Sequence, residues 1–101
     1  MQLTSLLSPA AVRVLPGITS KKRLFQEIGE ILSLTRDVTS GTVFDALQDR
    51  ETLGPTGVGH GIALPHARLA GLEEVCGVFI RLDKPLDFDA VDRQPVDLVF
   101  S

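Results

Sequence analysis

Apolar and polar positions alternate with a period that changes along the chain, and each change marks an element. Val12 and Val14 flank Arg13 at a spacing of two, and Pro16-Gly17 ends the run, which predicts a short strand. From Ser20 the period lengthens: Leu24, Phe25, Ile28, Ile31 and Leu32 form one apolar stripe of an amphipathic helix, with Thr19 or Ser20 as its N-cap. Before these, Leu3, Leu6 and Leu7 have the spacing of a helical turn or an edge segment that Pro9 interrupts. Turn and cap signals at Asp37 to Gly41 introduce a second helix running through about Glu51, with Val43, Phe44 and Leu47 inward. Arg50 stands three residues after Leu47 and seven after Val43, so it continues that stripe until Gly54 stops the helix.

The remaining apolar runs are short and strand-like. Ile62 to Leu64 is stopped by Pro65, Val75 to Leu82 reads as a buried strand turned at Asp83 to Pro85, and Pro95 opens a last strand at Val96 to Phe100. Strands alternating with helices predict an α/β sandwich: a mixed β-sheet from the runs near residues 12, 62, 76 and 97, flanked by the two helices, with some parallel pairing.

The densest chemistry lies between the second helix and the third of these strands. Over R-E-T-L-G-P-T-G-V-G-H-G-I-A-L-P-H-A-R, from Arg50 to Arg68, stand Gly54, Gly57, Gly59, Gly61, Pro55, Pro65 and both histidines of the chain, His60 and His66. Glycine at this density permits positive φ and close backbone approach, and successive amides of such a turn can form an anion-binding concavity. A neutral imidazole is a good nucleophile toward phosphorus, with an unperturbed pKa near 6.5 for that side-chain type. Arg50 adds a planar fork suited to phosphate, or else satisfies the carbonyls at its own helix end. Nucleophile, nest and guanidinium describe a phosphohistidine site, with His60 either tuning His66 or serving as a loop residue.

That segment resembles the active-site signature of the type-2 IIA domains of the bacterial phosphoenolpyruvate-dependent phosphotransferase system, R-E-x-L-G-S-T-G-[IV]-G-x-G-I-A-[IL]-P-H. The opening L-T-S-L-L-S-P-A-A-V, the S-K-K before the first helix and the later D-F-D-A-V-D-R-Q-P-V-D-L-V-F are also similar to this family, most of all to its free-standing nitrogen-regulatory branch. The resemblance implies that His66 is the phosphoacceptor, that Arg50 stabilises the phosphate, and that Thr56, Gly57, Gly59 and Gly61 bind it. It implies an HPr-like phosphocarrier as donor, downstream regulatory targets or a IIB domain as partners, and neither a cofactor nor a metal. Pro55 departs from the pattern, where relatives carry a small hydroxyl residue, so Thr56 and the glycine amides must serve in its place. Compared with the family, residues 1–101 read as one IIA domain lacking roughly its C-terminal third. Leu98, Val99 and Phe100 are then expected to leave an apolar edge uncovered, through which the chain could form an oligomer.

Composition narrows the alternatives. The chain has 101 residues, 44% of them apolar, a net charge of −3 and a single cysteine, Cys76, which reads as a core thiol. That balance gives no footprint for nucleic acid, the N-terminus lacks a signal-peptide pattern, and no stretch suits a membrane span, so a cytoplasmic protein is expected. Lys21, Lys22 and Arg23 crowd the first turn of the first helix, where the macrodipole disfavours cations; they form either a solvated cluster or a contact for an acidic or phosphorylated partner. Asp87, Asp89 and Asp92 read as a solvated connector. Three functions remain in play. They are a phosphocarrier, nitrogen-regulatory or sugar-specific; a non-catalytic module that binds an anion or a protein; and, weakest, a metal-assisted hydrolase using His60 and His66, for which no third ligand has a characteristic spacing.

Overall fold

The computed structural model describes residues 9–36, 38–69 and 76–101. The segment around Leu3 to Leu7, Asp37 and the expected strand start at Val75 lie outside them. After a single 3-10 turn at Pro9–Ala11 come β1 (Val12–Leu15), α1 (Lys21–Thr35), α2 (Ser40–Thr52), β2 (Gly57–Gly59), β3 (Ile62–Ala63), β4 (Phe79–Leu86) and β5 (Val96–Phe100). The five strands form one sheet in the order β1-β4-β5-β3-β2. β1 runs parallel to β4 and β3 parallel to β5, while β4–β5 and β2–β3 are antiparallel, so the sheet is mixed and the class is α/β.

The helical stripe packs as its spacing demands. Leu24, Phe25, Ile28, Ile31 and Leu32 of α1 are all buried, and with Val43 and Leu47 of α2 they cover the sheet face carrying Ile80, Leu82 and Val99. Ser20 caps α1, its hydroxyl accepting the Arg23 N–H at 3.1 Å. The helices meet at Gly29, where a Cβ would fall 2.6 Å from the Ser40 carbonyl oxygen, so only glycine allows this approach. The basic first turn is largely spent within the chain. Lys21 donates to Glu51 at 3.0 Å and sits 5.1 Å from the centre of the Phe88 ring, and Arg23 pairs with Glu27 one turn on.

Three expectations are corrected. The glycine segment is not only a loop, because Gly57–Gly59 forms β2 on β3. β4 does not turn at Asp83 to Pro85; it continues to Leu86, and Pro85 falls where the β4–β5 register shifts between Arg81 and Leu86, so its missing N–H interrupts no regular ladder. The last strand is not an exposed edge. β5 lies between β4 and β3, Val99 is fully buried, and Leu98 and Phe100 are half-buried, the latter edge-to-face with Phe79 at 6.5 Å between ring centres. The β4–β5 pairing even extends outward through reciprocal bonds between Val78 and Ser101 at 2.8 and 2.9 Å. On the strands, exposed large apolar side chains are Val12 and Val14 of β1 and Val58 of β2, while Leu34, Leu53 and Val91 are exposed elsewhere. Strand order therefore leaves β5 no open edge.

Candidate functional site

The segment from Arg50 to Arg68 folds into the end of α2, the β2–β3 hairpin and an extended tail bearing His66. At the base of the hairpin, the Glu51 carboxylate is almost wholly buried and accepts the Thr56 N–H at 3.1 and 3.2 Å, the Thr56 hydroxyl at 2.7 Å and the Lys21 ammonium at 3.0 Å. Several donors on one buried carboxylate satisfy the charge that burial would otherwise penalise. Thr56 is thus committed inward, at 4% exposure, and its amide and hydroxyl face Glu51 and not an incoming phosphate.

Higher in the hairpin the glycines answer to packing. A Cβ on Gly57 would lie 2.9 Å from the Ala90 Cβ and 3.1 Å from that of Phe88. The register Gly59↔Ile62 leaves His60 and Gly61 as a two-residue turn, with φ of 56° and 76°, as a type I′ turn requires. This turn is stapled to the connector before β5 and to β5 itself: the His60 N–H donates to Asp92 at 2.9 Å, and the Gly61 carbonyl accepts the N–H groups of Asp97 and Leu98 at 3.1 and 3.0 Å. Asp92 is accordingly no passive member of a solvated connector. The N–H of His60, then that of Gln94, hold its carboxyl below the usual carboxylate range. His60 and His66 flank opposite ends of β3, and among the described residues neither the concavity of about 660 Å³ nor that of about 370 Å³ bordered by His66 is lined by Thr56, Gly57, Gly59, His60 or Gly61. The expected glycine nest around His66 is replaced by a glycine hairpin that aims β3.

At the other end of β3, the Leu64 N–H donates to the Thr56 carbonyl at 2.9 Å and continues the hairpin by one rung. Pro65 is buried and His66 emerges exposed. The His66 Nδ1 lies 2.9 Å from the Leu64 carbonyl oxygen, which can only accept, so in the neutral ring Nδ1 carries the hydrogen and the lone pair sits on Nε2. Arg50 is half-buried on the last turn of α2 and donates from Nη1 to the Gly54 carbonyl at 3.0 Å, closing its own helix end. Yet it also borders, with His66 and Arg68, an open concavity of about 660 Å³ to which Asp49 contributes the one carboxylate. Arg50 thus answers to both of the readings that its position allows. His66 also borders an apolar cavity of about 370 Å³ lined by Leu32, Leu47, Cys76 and Phe100. Burial pushes the Cys76 thiol up, against a smaller opposing effect of Arg36.

Sequence reasoning gave Glu51 and Arg68 no role in the site and read Asp92 as part of a solvated connector. Glu51 follows Arg50 inside the signature and so carried a signal. Asp92 is 32 residues from the turn it holds, and no local pattern reveals it.

Residues 5–101 match the family model described as phosphoenolpyruvate-dependent sugar phosphotransferase system, EIIA 2. A nitrogen regulatory protein of Bradyrhizobium diazoefficiens is 43% identical over 100 residues, a match covering 99% of this chain and 65% of that protein. The crystal structure of nitrogen regulatory protein IIA-Ntr from Neisseria meningitidis superposes with a TM-score of 0.82 at 45% identity, covering 91% of this chain and 64% of that one. The Escherichia coli complex of enzyme IIAMTL with phosphorylated enzyme IIBMTL gives a TM-score of 0.75 at 25% identity, over 93% of this chain and 67% of the matched one. The chain therefore spans about two thirds of the length of these relatives. On the matched residues and on this identity, the chain belongs to the EIIA type-2 family of the phosphoenolpyruvate-dependent phosphotransferase system, and within it is similar to the nitrogen regulatory proteins.

Proposed function

We propose that this chain is the phosphoacceptor part of a single cytoplasmic IIA domain, in which His66 takes a phosphoryl group from an HPr-like phosphocarrier and reports its state to downstream proteins. The observation that carries the reading is the tautomer. With Nδ1–H held by the Leu64 carbonyl at 2.9 Å, the lone pair is left on Nε2 of an exposed imidazole that borders one concavity with Arg50.

In the transfer, Nε2 attacks phosphorus in line as the P–N bond to the donor's imidazole breaks. The donor ring leaves with the bonding pair, and the hydrogen stays on Nδ1, donated to the Leu64 carbonyl, which supports the positive charge developing on the ring. Arg50, fixed by its bond to Gly54, meets the charge on the equatorial oxygens without reorganising. Once formed, the phosphoryl group places about −1.5 to −2 charges on one exposed spot, a signal that a partner surface can sense. Similarity to nitrogen regulatory proteins at 43% and 45% identity favours a regulatory output, against 25% for a protein whose title names a IIB complex. Delivery to a IIB domain is the second reading that this last match supports.

The test is incubation with phosphoenolpyruvate, enzyme I and an HPr-type donor, followed by intact mass. One added phosphoryl group, stable in base, lost in acid and absent from His66→Ala, is expected. No mass gain in a chain extended to the full length of its relatives would leave a non-catalytic binding module as the better account.

A further inference from the structure

Arg68 has no role in the reading above, and the fold places it where it can take one. It follows His66 by two residues, is exposed, and borders the same concavity as His66 and Arg50. Unlike Arg50, whose Nη1 is committed to the Gly54 carbonyl, Arg68 makes no hydrogen bond or ion pair with the described residues. We propose that Arg68 is a second phosphoryl-binding cation, which closes on the group carried by His66 Nε2 and sets its ionisation and its transfer equilibrium; this rests on phosphorylation of His66.

Charge arithmetic makes the case. A phosphoryl group near neutral pH brings about −1.5 to −2 charges. In the concavity Arg50 contributes one positive charge and Asp49 one negative charge, so without Arg68 the wall is neutral toward a dianion; with it, a net positive charge remains. Glu51, the next carboxylate along α2, is turned away and saturated by Thr56 and Lys21, and so adds no repulsion. The two arginines divide the work by their anchoring. Arg50 is held before the group arrives and so serves the transition state, whereas Arg68 has no partner among the described residues until there is an anion to grip, and so serves the phosphorylated ground state. Arginine suits that task because its planar fork can engage two phosphoryl oxygens at once.

The experiment uses phosphoramidate, a small donor from which Nε2 displaces ammonia, so that no protein partner is needed. The second ionisation of the phosphohistidine is then followed by phosphorus NMR. Arg68→Gln should raise that pKa by about half a unit or more, since a cation within a few ångströms favours the charged form. Arg68→Lys should restore most of the shift, and Asp49→Asn should move it the opposite way. In exchange with an HPr-type donor, Arg68→Gln should also draw the equilibrium about 3- to 10-fold toward the donor. If the parent protein takes up phosphate on His66 while Arg68→Gln and Arg68→Lys leave both the titration and the equilibrium unchanged, the assignment of Arg68 is overturned and the carrier reading stands. If the parent takes up none from either donor, both fall.

Discussion

The two ends of β3 come from one short glycine-rich segment and are built to opposite rules. At the end of His60 and Gly61 the polar groups have found partners: the turn N–H reaches Asp92, the turn carbonyl takes two N–H groups from the start of β5, and the glycines press against Phe88, Ala90 and Asp92. At the end of His66 the exposed ring is fixed by one bond, beside one guanidinium that is anchored and another that has no partner among the described residues. A saturated end gives rigidity, and an unsaturated end leaves room for the proposed chemistry. The saturated end aims the other, since a strand of two residues transmits the position of its turn to the histidine beyond it.

The largest effect that can break this comparison belongs to neither tip but to their shared base. Glu51→Ala should cost about 3–5 kcal/mol, because it leaves Lys21 and the Thr56 donors without their buried acceptor. Chemical denaturation measures it, and a loss below about 1 kcal/mol would mean that the base is not what holds the hairpin. Next comes Arg50→Ala, which should slow phosphorylation by about 100-fold, worth about 2.7 kcal/mol in the barrier. An unchanged rate with lowered stability would assign Arg50 wholly to its Gly54 contact. Gly57→Ala should then cost about 1–3 kcal/mol by overpacking against Ala90 and Phe88, while His66 in the fraction that stays folded keeps its reactivity. Melting curves combined with phosphorylation of the folded protein separate the two readouts.

How much of this was legible depended on how local the cause was. The α1 stripe from Leu24 to Leu32 reads directly from spacing, because one helix face meets one core, and each of its five members is buried. The signature likewise placed Arg50 and His66 within one stretch of chain, and they border one concavity. The glycines were read for the wrong neighbour, because what presses on Gly57 and Gly59 stands some thirty residues further on, at Phe88, Ala90 and Asp92. A single sequence shows that glycine is needed but not which atom requires it. Thr56 was misplaced for a similar reason, since Glu51 claims its amide and hydroxyl only once the helix end has turned back over the hairpin. The uncovered edge at Leu98 to Phe100 is expected from the resemblance, in which a C-terminal third is missing, whereas the place of β5 in the sheet is set by β3 lying on its far side.

The smallest effect tests the latch at the saturated end. Amide donors from His60, and next from Gln94, lower the folded-state pKa of Asp92, so its unfolded value is the higher of the two. The carboxylate's contribution to stability is therefore fully present above the ordinary aspartate range near pH 4 and is lost as pH falls through the lowered folded value. Asp92→Asn should melt slightly below the parent protein at pH 7, and the two curves should converge in acid. His60→Asn is the matching control: asparagine tolerates the positive φ of 56° at that turn and keeps the same N–H, so both stability and phosphorylation rate should hold. A large loss of phosphorylation in either variant, without a loss of fold, would show that the turn reaches the chemistry at His66, and the division between the two ends of β3 would no longer stand.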